Sequence, residues 1–239
     1  MVKRVRMSLL HTGALVTLTA SLVAGCSGDG ALPAGSGGSP LAPAAGQDAN
    51  AEAARHTSAH VSTHPSQGPV TVVPGAIATL VTTDAGAQVT LRTSGLAAGH
   101  PHTVWFVAIN RPDQCAAAPT CTAGDILFRT EAVDAEVVYL TGAVVGNHGK
   151  AGFAGSIRAG DVPHGWFGNG LTNPRGAEIH LILMDHGPAI PGLVDNQIST
   201  LRGACTDASV PAAFPPVAFA DGTPGPNTCR LVQFAVLAQ

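Results

Sequence analysis

The chain has 239 residues, of which only 11% are charged, and its 12 Lys and Arg against 15 Asp and Glu give a net charge of −3. That balance argues against nucleic acid or an anionic lipid surface as the principal partner, since both are recruited by clustered cations.

Lys3, Arg4 and Arg6 form a basic start, and a mostly apolar run follows from Met7 through Ala24. This is the charge and length pattern of an export signal, and its threonines and His11 interrupt a run at the short edge of membrane-spanning length. The residues before Cys26, "LVAGC" at 22–26, resemble a bacterial lipobox. The resemblance implies a signal peptide over 1–25, cleavage ahead of Cys26, and acylation of the Cys26 thiol by palmitate-type chains. Each buried methylene would then contribute about 0.8 kcal/mol of membrane affinity. The expected address is extracytoplasmic, lipid-anchored on the cell membrane or outer membrane; Ser27 after Cys26 is compatible with onward export in a Gram-negative envelope. Removing Lys3, Arg4 and Arg6 from the 12 cations leaves 9 against 15 acids, a mature balance of −6.

Residues 26–69 are rich in Gly, Ala, Pro and Ser and lack any aromatic, so they are expected to be a flexible stalk that buries too little apolar surface to offset its ordering entropy. His56, His60 and His64 recur every four residues within it. On a helix they would stack as metal ligands, but Thr57, Ser58, Val61, Ser62, Thr63 and Pro65 are poor helix formers, and the expectation is polar linker histidines.

The remaining residues, 70–239, suit one domain. Seven short β-branched, apolar segments separated by Gly, Pro, Asn or Asp predict strands over 76–83, 87–93, 102–110, 136–145, 151–157, 177–184 and 230–238. One short helix is predicted over 193–201, where Val194, Ile198 and Leu201 share a face. The fold class is therefore all-β, an antiparallel β-sandwich or related barrel of about seven to nine strands. The segments 136–145 and 151–157 read as a hairpin through "GNHGK", with His148 exposed at its tip.

Apart from Cys26 there are four cysteines, an even number that in an exported domain predicts two disulfides. The pairing Cys115–Cys121 with Cys205–Cys229 is favoured, because each bond would close a Pro- and Ala-rich loop that has no core of its own. The spacing lacks the short Cys pairs of a four-cysteine zinc site.

Several segments, "LAAGHPHTVWFVAINRPDQC", "TGAVVGNHGKAGFAG", "LTNPRGAEIHLILMDHGP" and "QISTLRGAC", resemble successive parts of exported β-rich bacterial lipoproteins of uncharacterised role. That resemblance implies a single folded unit and no particular activity. "GLAAGHPHTVWFV" is also similar to the copper/zinc superoxide dismutase segment in which a glycine turn feeds a strand with an H-x-H copper pair; here Pro101 separates His100 and His102 at the strand entrance. "EIHLILMDHGPAIPG" is similar to the chordin-type repeat, with a single His180 where that module has an H-x-H.

From 178 onward, alternation puts Ile179, Leu181 and Leu183 on one face and Glu178, His180, Ile182, Met184 and His186 on the other, with His180 and His186 roughly 20 Å apart if the strand stays extended. Glu178 and His180 are about 7 Å apart along a strand and can share a proton or a metal. Asp185 and His186 precede "GP" and read as turn formers. The candidate metal ligands are His100, His102, His180, Glu178 and Asp185, for copper or zinc; no cofactor is firmly indicated. Trp166, in the glycine-flanked loop "HGWFGNG", and Arg175, either pairing with Glu178 or holding an anion, are the candidate binding surface. No G-x-S-x-G elbow is present, and catalytic residues are not identifiable.

The leading expectation is a membrane-anchored extracytoplasmic binding or structural module whose partner is an envelope protein or a small ligand, without enzymatic activity. The alternatives are a copper- or zinc-binding envelope protein with superoxide dismutase-like chemistry and an acid–base enzyme using His180 and Glu178.

Overall fold

The computed structural model describes residues 53–117 and 119–238. The expected signal peptide, Cys26 and the stalk up to residue 52 lie outside the described residues. Eight strands form: β1 Arg55–Thr63, β2 Val72–Thr83, β3 Gly86–Thr93, β4 Pro101–Ile109, β5 Ala135–Val144, β6 Ala151–Arg158, β7 Glu178–Asp185 and β8 Arg230–Leu237. Four short helices lie between them: α1 Ala123–Phe128, α2 Thr130–Val133, α3 Val194–Gln197 and α4 Pro216–Ala220. Among the described residues no helix is long and apolar enough to cross a membrane.

All strands belong to one antiparallel sheet in the order β5-β4-β7-β8-β1-β2-β3-β6, curled into a nearly closed barrel. Strict alternation along β3, with Ala87, Val89 and Leu91 inward and Gln88, Thr90 and Arg92 exposed, shows how the pattern selects the face. The interior is filled by aliphatic side chains such as Leu80, Leu91, Leu181, Leu183 and Leu237, with Phe106 and Phe153 among them. Each fully buried Leu contributes about 2 kcal/mol of transfer free energy.

All seven predicted strands are present, and an eighth joins them. Residues 55–63, expected to be stalk, form β1, which pairs with β2 from Arg55↔Thr82 to His60↔Ile77 and with β8 at Ser62↔Phe234. The folded domain therefore begins at about residue 55 rather than at residue 70. The segment carries little hydrophobicity, but Val61 is fully buried and Ala59 packs on the interior. Its ordering comes mainly from the backbone hydrogen bonds it exchanges with two strands that would otherwise present open edges.

The expected hairpin between β5 and β6 does not form a ladder. β5 pairs with β4, β6 pairs with β3, and the two are the ends of the sheet that meet across the barrel seam. There they pack through side chains, with Gly155 so close that a Cβ on it would lie 2.7 Å from Leu140 Cδ1. The turn between them is instead tied to the β3–β4 loop by the Leu96 N–H donating to the Gly149 carbonyl at 3.1 Å.

β4 is buried along its whole length. Val104, Phe106 and Ala108 face the barrel interior, while Trp105, Val107 and Ile109 face a second apolar layer outside it. That outer layer consists of α1, α2, α4 and their loops, and it is fastened by Cys115–Cys121 and Cys205–Cys229, the favoured pairing.

Candidate functional site

The outer layer forms an apolar pocket of about 90 Å³ walled by Trp105, Trp166, Phe214, Ile126 and Leu201, with the His64 ring also lining it. Trp105 projects from the outer face of β4, while Trp166 comes from the glycine-flanked loop and lies 5.4 Å from Trp105 and 4.9 Å from Phe214 between ring centroids. Trp166 is thus folded onto the barrel and only half-buried, forming a wall rather than a projecting surface. A more polar groove of about 440 Å³ shares both indoles and continues along Tyr139, His164, Ser199 and Asp221.

Buried carboxylates hold this lid in place. Glu136, on the interior face of β5, accepts the Val137 and Phe167 N–H groups at 2.9 Å and the Gly170 N–H at 3.0 Å, so one side chain fixes the Trp166 loop at two points, directly after the indole and at the loop's end. Gly165 passes so close that a Cβ would fall 2.5 Å from the Glu136 carboxyl carbon. Asp125 accepts from Ala116 N–H, Thr122 N–H and hydroxyl, and the Arg129 guanidinium. These hydrogen bonds, the backbone N–H groups foremost, hold its pKa down at about 2.

Glu178 and His180 are joined at 2.6 Å, and the same Glu178 oxygen accepts the Cys121 N–H at 2.8 Å. The pair is buried on the outer face of β7, where it anchors the first disulfide loop. Arg175 pairs with Asp84 rather than Glu178 and donates to the Ala53 carbonyl at 3.0 Å, tying the β2–β3 turn to the chain preceding β1.

The five candidate metal ligands fall into two groups. Register pairs Ile109 with Glu178 at one end of the β4–β7 ladder and His102 with Asp185 at the other, seven residues or roughly 23 Å away. They also lie on opposite faces, since Asp185 has the parity of the interior leucines. Glu178 and His180 therefore cannot share an ion with His100, His102 and Asp185. At the second end the Asp185 carboxylate accepts from His100 Nδ1 at 2.9 and 3.1 Å, and Asp185 Oδ1 stands 4.0 Å from His102 Nε2.

His186, expected in a turn, is fully buried. Its Nδ1 faces the Gly203 carbonyl at 3.0 Å and must carry the proton, so Nε2 accepts from the Thr103 hydroxyl at 2.8 Å. Thr103 in turn accepts the indole N–H of Trp105 at 3.0 Å. Burial pushes the His186 pKa down to about 4. His186 Nδ1 also lies 3.4 Å from Cys205 Sγ, and His186, Cys205 and Cys229 bring donor atoms within 4.8 Å of one another. Both sulfurs are bonded to each other, so in the oxidised protein this trio offers no thiolates.

No family model, curated protein or solved structure matches the chain.

Sequence reading missed His64, Phe214, Glu136 and Asp125. Glu136 left a signal, a lone acid opening the apolar run "AEVVYL", which marks a carboxylate that needs buried donors. His64 and Phe214 left none, because each reaches the pocket from a segment whose composition reads as loop.

Proposed function

We propose that the chain is a lipid-anchored extracytoplasmic binding module that takes a small amphipathic ligand, its apolar end in the pocket between Trp105 and Trp166 and its polar end in the adjoining groove. The observation that carries the reading is the apolar pocket itself, walled by both tryptophans of the chain and held by buried carboxylates and disulfides instead of being closed by collapse of its lid.

Size and chemistry narrow the ligand. At about 90 Å³ the pocket is smaller than the ~150 Å³ cavity that accepts benzene. It suits a branched aliphatic end or the edge of a small ring. His64 is neutral near pH 7, because burial lowers its pKa, so no charge stands at the apolar wall. The groove supplies a phenol, a hydroxyl and the Asp221 carboxylate, which favour a ligand whose other end donates hydrogen bonds or carries positive charge. The anchor rests on the order of basic start, apolar run, small residues and Cys26 in the sequence.

Both tryptophans report on the site, so titration of the purified protein with a panel of small amphiphiles, followed by intrinsic fluorescence, tests the reading. Saturable changes that vanish in Trp166→Ala are expected. A panel including amines, amino-acid esters and short branched acids that yields no saturable change would overturn it.

A further inference from the structure

His100, His102 and Asp185 meet where β4 begins and β7 ends, outside the set of residues that line the ligand pocket. His102 is fully buried, and its Nδ1 lies 3.1 Å from the His100 carbonyl, so Nδ1 carries the proton and Nε2 presents a lone pair. Among the described residues, this Nε2 is the buried side-chain polar atom with no hydrogen-bond partner. It faces Asp185 Oδ1, another acceptor, at 4.0 Å. Two electron-rich atoms held in this way are stabilised by a cation between them, and a buried polar atom left unsatisfied is costly.

We infer that His102 Nε2, the Asp185 carboxylate and His100 Nδ1 form a binding site for a divalent transition-metal ion of the zinc or copper(II) class. Two imidazoles and one carboxylate select borderline metals over calcium and magnesium, which require mostly oxygen donors. Burial lowers the pKa of His102 and keeps its ring neutral, the form a metal needs. His100 Nδ1 already meets the same carboxylate oxygen, at a hydrogen-bond distance of 2.9 Å that an ion between the two would widen. Metal–ligand bonds of about 2.0–2.2 Å in tetrahedral geometry put neighbouring donors about 3.4 Å apart; His102 Nε2 and Asp185 Oδ1 stand 4.0 Å apart and the three donors do not all lie within 4.8 Å of one another, so binding requires the His100 ring to swing toward His102 as well as a small shift of Asp185.

The movable partners are the ones with room. His100 and Asp185 side chains are 26% and 16% exposed, whereas His102 is fixed. On binding, the proton that His100 Nδ1 now donates to Asp185 shifts to Nε2, freeing the Nδ1 lone pair for the ion. The support behind the ligands is in place: His102 Nδ1–H donates to the His100 carbonyl, and the Gly187 N–H donates to Asp185 Oδ1 at 2.8 Å. The exposed sides of His100 and Asp185 give the ion its entry and leave a coordination position toward solvent.

The test uses the full chain without a histidine tag, stripped with chelator, and titrated with zinc by calorimetry and with cobalt(II) by absorption. One high-affinity ion is expected, with a cobalt spectrum lacking thiolate charge-transfer bands, which separates this site from Cys205 and Cys229. His100→Ala and Asp185→Asn, partly exposed positions whose folding is checked by circular dichroism, each weaken binding by more than about tenfold, whereas His148→Ala and His180→Gln leave it unchanged. The inference is overturned by absence of uptake, by uptake insensitive to His100→Ala and Asp185→Asn, or by a zinc-soaked crystal showing only a water between His102 and Asp185. Failure here leaves the amphiphile reading standing, because the pocket and this cluster share no residue.

Discussion

Trp166 lies against Trp105 at 5.4 Å, with the planes inclined at 43°, and this contact between a loop and a strand forms the indole wall of the pocket. Trp166→Ala removes that wall and the further ring contact with Phe214. The variant is expected to lose about 1–3 kcal/mol of stability, less than a fully buried tryptophan because one side of the ring is already open. Urea unfolding measures it; a variant as stable as the parent would show that the loop aromatic does not pack in solution.

Glu136→Gln keeps the shape of the side chain but places an amide NH₂ where one carboxylate oxygen now accepts the N–H of Phe167 or Gly170. Leaving one buried donor unsatisfied and losing the charge-assisted bonds is expected to cost about 2–4 kcal/mol. Hydrogen exchange should accelerate selectively at the Phe167 and Gly170 amides while the β2–β3 ladder stays protected. Uniform acceleration across the barrel would contradict a role confined to the loop.

The two disulfides differ in the chain they close, with separations of 6 and 24 residues. On loop entropy, Cys205→Ser with Cys229→Ser should cost about 3.5 kcal/mol and Cys115→Ser with Cys121→Ser about 2 kcal/mol. Thermal melting of the two double variants ranks them, and the reverse order would show that strain or residual structure outweighs loop length.

Stability should fall on mild acidification. The folded-state pKa of His186 is about 4, below its ordinary 6.5, so the unfolded chain takes up its proton first as pH drops. The stabilisation is complete above about pH 6.5, declines between 6.5 and 4, and amounts to about 3 kcal/mol. His102, also lowered by burial, adds in the same direction. Asp125 is lowered to about 2, so its contribution is lost only below about pH 4. Denaturant titrations from pH 7.5 to 4.5 check the sign, with His186→Gln as the variant that flattens the slope; a parent protein equally stable across that range would refute the assignment.

Cys26→Ser should abolish incorporation of labelled palmitate and move the protein from the detergent phase to the aqueous phase on partitioning. Unchanged partitioning would mean that attachment does not depend on Cys26.

The strands were legible because their chemistry is local. β3 alternates and β7 runs apolar over eight residues, short for a helix, and glycines flank both. β1 was not legible. Nothing in "RHTSAHVST" demands burial, and it becomes a strand because β2 and β8 present complementary edges to it. The same limit applied to β5 and β6, each a strand by pattern, whose partners were set by barrel closure rather than by the short turn joining them.

For the site, parity on one strand divided the polar residues correctly: Glu178 and His180 share a face, and the structure adds the Cys121 N–H that their carboxylate serves. Sequence by itself determined the all-β character and the even cysteine count that calls for two disulfides, and it favoured the observed pairing and put Glu178 and His180 on one face, because alternation, cysteine count and i, i+2 spacing act within a few residues; the structure decided the pairing and the carboxylate–imidazole contact. Only the tertiary structure decided that His102 faces Asp185 across two strands and that His64, Trp105, Trp166 and Phe214 share one pocket. Those contacts join residues up to 150 positions apart through sheet register and loop packing, and the free energy that selects them belongs to the whole barrel and its lid rather than to any short segment.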